Sequence, residues 1–121
     1  MQLERLPERL TVCKVAAPSE IDWDADIYFV GKTDEELSLV CREADAPRGA
    51  VERDDGWLAF RVKGTLDFSL VGILAGLTGI LAAQRIGIFA VSTYNTDYIL
   101  VKEENFERAL GALADAGHTV A

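Results

Sequence analysis

Ile86-Gly87-Ile88-Phe89-Ala90-Val91-Ser92-Thr93-Tyr94-Asn95-Thr96-Asp97-Tyr98-Ile99-Leu100-Val101-Lys102 sets two apolar runs on either side of a short polar turn, directly after a long apolar segment. Runs of this length bounded by Ser, Thr, Asn and Asp predict a buried β-hairpin docked on a helix. A weaker copy lies sixty positions earlier: Phe29, Thr33 and Glu43 fall on Phe89, Thr93 and Glu103, while Leu39 and Val40 fall on Ile99 and Leu100. The chain is therefore read as an internal duplication.

Working outward from the hairpin, residues 68–85 carry no charge before Arg85 and are apolar nearly all round, which predicts a helix. One face laid on a sheet does not account for that much apolar surface, so its other face should meet a second helix or a second subunit. Gly72 and Gly76 have GxxxG spacing, read here as close packing of this helix on a sheet. Trp57 to Lys63 predicts the strand before it, and Gly64-Thr65-Leu66-Asp67 supplies a turn with capping side chains. After the hairpin, Phe106, Ala109, Leu110, Leu113 and Ala114 recur at helical spacing, with Glu103 and Glu104 at the favourable amino end and Gly117 as a stop. His118 to Ala121 can form a short last strand.

The first half gives a strand over Leu10 to Ala17, a break at Pro18, and a hairpin of Ile27 to Lys32 with Leu37 to Arg42. Trp23 sits among acidic residues and is expected to fold back over a core edge. Ala44 to Gly56 is polar and reads as a loop with room for one helical turn.

The 121 residues suffice for one compact unit or two small ones. The formal net charge of −8 argues against nucleic acid and against an anionic membrane surface. Residues 1–55 hold 14 acidic and 7 basic side chains against 6 and 5 in residues 56–121, so the excess lies in the first half, where a solvated acidic face explains it. The uncharged run 68–83 is shorter than the ~20 residues a membrane-spanning helix needs. Cys13 and Cys41 lack the spacing of a metal knuckle or a redox pair, so buried, reduced thiols are expected, with no metal and no cofactor. The mixed charges of residues 1–9 do not resemble a signal peptide, which gives a cytoplasmic expectation.

The order strand, helix, strand, strand, helix, strand over 57–121, centred on Phe89 to Val101, resembles the ACT-domain superfamily. It is most similar to small bacterial tandem-ACT proteins and, more distantly, to animal cytosolic arginine sensors. The resemblance implies an α+β fold: a complete ferredoxin-like βαββαβ ACT unit over 57–121 and a degenerate ACT-like repeat over 1–56, with helices on one face of antiparallel sheets. It also implies amino-acid binding between units, at the turn holding Gly64, Thr65, Asp67 and Phe68 and at the facing strand Gly87, Ile88, Phe89 and Ala90. Helix-start amides suit a carboxylate there, and strand carbonyls with Asp67 suit an ammonium group. Read alone, Thr65 or Asp67 is a helix cap. By resemblance to the arginine sensors, Thr93, Tyr94 and Asp97 lie near the ligand, although Asx-type turn bonding accounts for Asn95 and Asp97 without one. An acidic contact of those sensors falls near Leu70 here, a departure from the arginine pattern.

No nucleophile stands beside a base, and the one histidine, His118, lies at the chain's end, so an enzyme is not expected. The leading reading is an amino-acid-binding regulatory module. The competing one is a ligand-free dimerisation or scaffold domain. A homodimer is expected in either, because spare sheet edges and an apolar helix need cover.

Overall fold

Phe60 and Val62 are buried while Arg61 between them is half-exposed, the alternation that makes one face of a strand core and leaves the other for polar chemistry. The computed structural model describes residues 1–64 and 71–121. Among the described residues the strands are β1 (Gln2–Arg5), β2 (Leu10–Lys14), β3 (Tyr28–Lys32), β4 (Leu37–Arg42), β5 (Glu52–Val62), β6 (Ile88–Ser92), β7 (Asp97–Lys102) and β8 (Thr119–Val120). The helices are α1 (Ile73–Ala83) and α2 (Glu103–Asp115), with single 3-10 turns at Pro18–Glu20 and Glu43–Asp45. The chain divides into two compact units, one of Met1–Pro7 with Leu58–Ala121 and one of Glu8–Trp57.

In the larger unit the strand order is β6, β7, β5, β1, β8. β1 runs antiparallel to β5, with Leu3 opposite Val62 and Glu4 opposite Arg61, and parallel to β8. The short β1 segment has no turn signal or apolar periodicity of its own, and its extended form comes from lying between two partners. Leu3, Phe60, Val62, Ile99 and Val101 form the sheet side of the core; Leu77 and Leu81 of α1 and Phe106, Ala109 and Leu113 of α2 form the helix side. Each large side chain so buried contributes about 1.5–3 kcal/mol.

α2 ends as its sequence requires. The His118 N–H donates to the Leu113 carbonyl at 3.1 Å and the Gly117 N–H to the Ala114 carbonyl at 3.0 Å, with Gly117 at φ +98°. This paired closure needs a left-handed residue that glycine alone adopts freely. α1 differs from the sequence reading. It starts at Ile73 behind a left-handed Gly72 (φ +82°), and Val71 is exposed; the expected start at Phe68 lies outside the described residues. Gly76 is exposed and faces open space, so the Gly72 and Gly76 spacing marks a helix start, not close packing on a sheet. α1 packs against α2, the second helix its composition demanded, and its exposed face is made of Ala75, Gly76, Gly79, Ala82 and Ala83. Small side chains leave little apolar area in water, which is how a nearly polar-free helix tolerates an open face.

The smaller unit has strand order β3, β4, β2, β5. Its core is Cys13, Val15, Ile21, Leu37, Leu39 and Cys41. The polar stretch expected as loop up to Gly56 is strand from Glu52 onward, because β2 pairs Lys14 with Glu52, Cys13 with Arg53 and Val12 with Asp54. The buried Thr11 hydroxyl adds a bond to the Asp54 carbonyl at 3.2 Å. Partner strands impose extension on a sequence with no apolar alternation to signal it. Trp23 does not cover a core edge: it is 52% exposed, its indole N–H donates to the Pro18 carbonyl, and its ring meets Tyr28 edge-on at 5.8 Å.

The two hairpins repeat each other in register. Phe29 pairs with Val40 in one and Phe89 with Leu100 in the other, and the residues before the following helical turns, Arg42 and Lys102, have φ, ψ of −60°, 143° and −58°, 142°. After that common point Glu43–Asp45 makes one turn and Glu103–Asp115 a full helix. Pro47 and Gly49 follow in the first copy, where the second continues with Glu107, Ala109 and Leu110.

Candidate functional site

At the end of β5 the polar face of the larger unit opens into a cleft of about 280 Å3, lined by Glu4, Arg61, Val62, Lys63, Gly64, Asn95, Thr96 and Tyr98. Strand pairing sets its floor, since Glu4 stands opposite Arg61 across β1 and β5. The Arg61 Nε and Nη2 both donate to the Glu4 Oε1, the first at 2.8 Å, and Nη1 donates to the Tyr98 hydroxyl at 3.2 Å. The guanidinium carbon lies 5.8 Å from the Tyr98 ring centroid, within cation–π range. The bonds to Tyr98 and then to Glu4 raise the Arg61 pKa, so it is a permanent cation held in place. Lys63 is exposed at the rim, and among the described residues it makes no ion pair.

The turn between β6 and β7 forms the opposite wall. Thr96 is 7% exposed and its hydroxyl donates to the Val62 carbonyl at 2.7 Å, tying the turn to the end of β5. The Thr93 hydroxyl donates to the Thr96 carbonyl at 3.0 Å and accepts the Thr96 N–H at 3.3 Å. The Ser92 hydroxyl donates to the Asp97 Oδ1 at 2.6 Å. Thr93 and Asp97 are therefore engaged in holding the turn, and Tyr94 is 78% exposed at its tip.

Of the residues singled out in the sequence, Gly64 lines the cleft, while Thr65, Asp67 and Phe68 lie outside the described residues. Gly87, just before β6, and Ala90 within it are exposed, and Ile88 and Phe89 are half-buried in β6, which among the described residues pairs with β7 alone. Sequence reading did not single out Glu4, Arg61, Lys63 or Tyr98. The charges of Arg61 and Lys63 at alternate positions of an apolar strand were a usable signal for a polar face, but Glu4 is 57 residues away and nothing local joins it to them. Among the described residues no group of three or more His, Cys, Asp or Glu side chains could hold a metal ion.

Residues 52–115, just over half of the chain, match a family model described as ACT domain. A protein of known crystal structure from Agobacterium tumefaciens is 31% identical, with 99% of this chain and 91% of that one covered and a TM-score of 0.87. A Vibrio cholerae protein of unknown function, described as a possible transport protein, is 23% identical over 92% of this chain and 85% of its own, with a TM-score of 0.75. The regulatory subunit of aspartate kinase from Thermus thermophilus, in ligand-free form, is 11% identical with 95% and 96% covered and a TM-score of 0.68. The last two likenesses concern the fold alone. A comparison with curated proteins finds no match. With its α+β architecture and its matching segment, the chain belongs to the ACT domain family.

Proposed function

We propose that the chain is a non-catalytic regulatory module that binds an amino acid and acts through ligand-dependent assembly or partner binding. The observation that carries this reading is the ACT match over residues 52–115, the segment that contributes Arg61, Lys63, Asn95 and Tyr98 to the cleft. The fold likeness to an aspartate kinase regulatory subunit supports it. A ligand has regulatory effect only if it binds one state better than another. In this reading the turn with Gly64, Thr65, Asp67 and Phe68 faces the Gly87, Ile88, Phe89 and Ala90 strand of a second copy, with Thr93, Tyr94 and Asp97 nearby. Among the described residues β6 pairs with β7 alone, and a strand edge that a second copy could cover supports a homodimer as the assembled state. The free, buried thiols of Cys13 and Cys41 are compatible with a reducing, cytoplasmic setting, and among the described residues no helix is long and apolar enough to cross a membrane.

A second reading, a ligand-free dimerisation scaffold, is favoured by one observation: the Ser92, Thr93 and Asp97 side chains bond within their own turn. A thermal-shift screen against the common amino acids separates the two, because a ligand of the native state raises its apparent stability. A reproducible rise with one of them, accompanied by a change in sedimentation, supports the regulatory module. Unchanged melting with all of them at millimolar concentration supports the scaffold.

A further inference from the structure

We infer that the Glu4, Arg61, Lys63, Asn95 and Tyr98 cleft within a single unit is an amino-acid site, and that it selects an amino acid with an acidic side chain. The inference rests on the amino-acid-binding reading and adds a ligand class and a site inside one unit, separate from the one between two copies.

Charge carries the argument. The chain has a net charge of −8, yet among the described residues this cleft contains Arg61 and Lys63 against one carboxylate, Glu4. Glu4 and Arg61 compensate each other, which leaves Lys63 as a cation at the rim with no carboxylate paired to it among the described residues. A zwitterion brings no net charge, an acidic amino acid brings −1, and a cationic one brings +1 into a site already positive. Like charge disfavours the last.

Hydrogen bonding supports the same ligand. A guanidinium has about five N–H donors, and three of those of Arg61 are spent on Glu4 and Tyr98. Its side chain is 37% exposed, so donors remain for a carboxylate. Both Arg61 bonds to Glu4 fall on Oε1, leaving Oε2 as acceptor for an α-ammonium group. The Asn95 side chain can donate to or accept from either end of the ligand. A volume of about 280 Å3 suits a metabolite of amino-acid size, at the low end of ligand pockets. Inorganic phosphate is disfavoured because it carries no ammonium group to meet the Glu4 carboxylate in the wall.

Isothermal titration of the full chain with L-glutamate, L-aspartate, L-glutamine, L-arginine and phosphate tests the assignment. Both acidic amino acids bind more tightly than L-glutamine, and L-arginine and phosphate bind more weakly still. Lys63→Ala and Asn95→Ala alter exposed side chains and leave the fold intact; each weakens L-glutamate by roughly tenfold or more, the size of one lost charge-assisted bond. Lys63→Glu removes binding, and Lys32→Ala on β3 leaves it unchanged. Preference for L-arginine or L-glutamine, or phosphate binding as tightly as L-glutamate, overturns the ligand class. Acidic amino acids that bind equally well to the Lys63 and Asn95 variants overturn the site while the regulatory reading survives. Absence of binding by any common amino acid at millimolar concentration overturns both.

Discussion

Thr33 and Thr93 occupy the same point of two hairpins sixty residues apart: the Thr33 N–H donates to the Glu36 carbonyl and the Thr93 N–H to the Thr96 carbonyl, each at 2.9 Å. Their hydroxyls differ in setting. That of Thr33 accepts the Glu35 and Glu36 N–H groups at an exposed tip, whereas that of Thr93, though on an exposed residue, bonds the carbonyl and N–H of the buried Thr96. Water replaces a lost bond at the first site and cannot do so fully at the second. Thr93→Ala is therefore expected to cost about 1 kcal/mol and Thr33→Ala clearly less. Urea midpoints followed by circular dichroism measure both, and equal losses would refute the distinction.

The hydroxyl of Thr96 closes the wall of the cleft on the Val62 carbonyl. Thr96→Val keeps the shape and leaves that buried carbonyl without its partner, at a cost of about 1–3 kcal/mol. Thr96→Ser retains most of the stability. If Val and Ser behave alike in urea, the hydrogen bond is not what holds the turn to β5.

Leu81 is fully buried between the sheet and α2, whereas its neighbour Ala82 is exposed on the small-residue face of α1. Leu81→Ala should cost about 2–5 kcal/mol by opening a cavity. Ala82→Ser should stay within about 0.5 kcal/mol. A large loss from the Ala82 change in the isolated chain, at concentrations where it is monomeric, would contradict the assigned helix orientation.

Burial, followed by the neighbouring Cys13, pushes the Cys41 thiol from 9.0 up to about 12. A raised thiol pKa means that the native protein keeps a proton that the unfolded chain releases above pH 9. Stability from this group is complete below pH 9 and declines as pH rises toward 12. At pH 8 the native Cys41 should resist Ellman's reagent and react once urea unfolds the chain. Fast labelling of Cys41 in the native protein, located by peptide mapping, would argue against this burial.

Local patterns made much of the architecture legible. Apolar runs around Thr33 and Thr93 announced both hairpins, helical spacing from Phe106 to Leu113 announced α2, and Gly117 announced its end. These depend on contacts between residues close in sequence, where side-chain period and turn chemistry leave few alternatives. The α+β βαββαβ arrangement followed from their order, and the ACT family from resemblance. The position of the α1 start was less legible, because Val71 and Gly72 have the apolar character of the helix they precede.

The chain's own sequence thus determined which segments are hairpin, helix and cap, and that a chain of net charge −8 has its acidic excess in its first half. Tertiary structure alone decided that Glu52 to Gly56 is strand, since its extension comes from β2 and not from its own polar residues. It also decided that Glu4, Arg61 and Tyr98 meet, across 57 and 37 positions of sequence. Strand register brings such residues together, and register is fixed by the whole set of partners that a strand finds when the core closes.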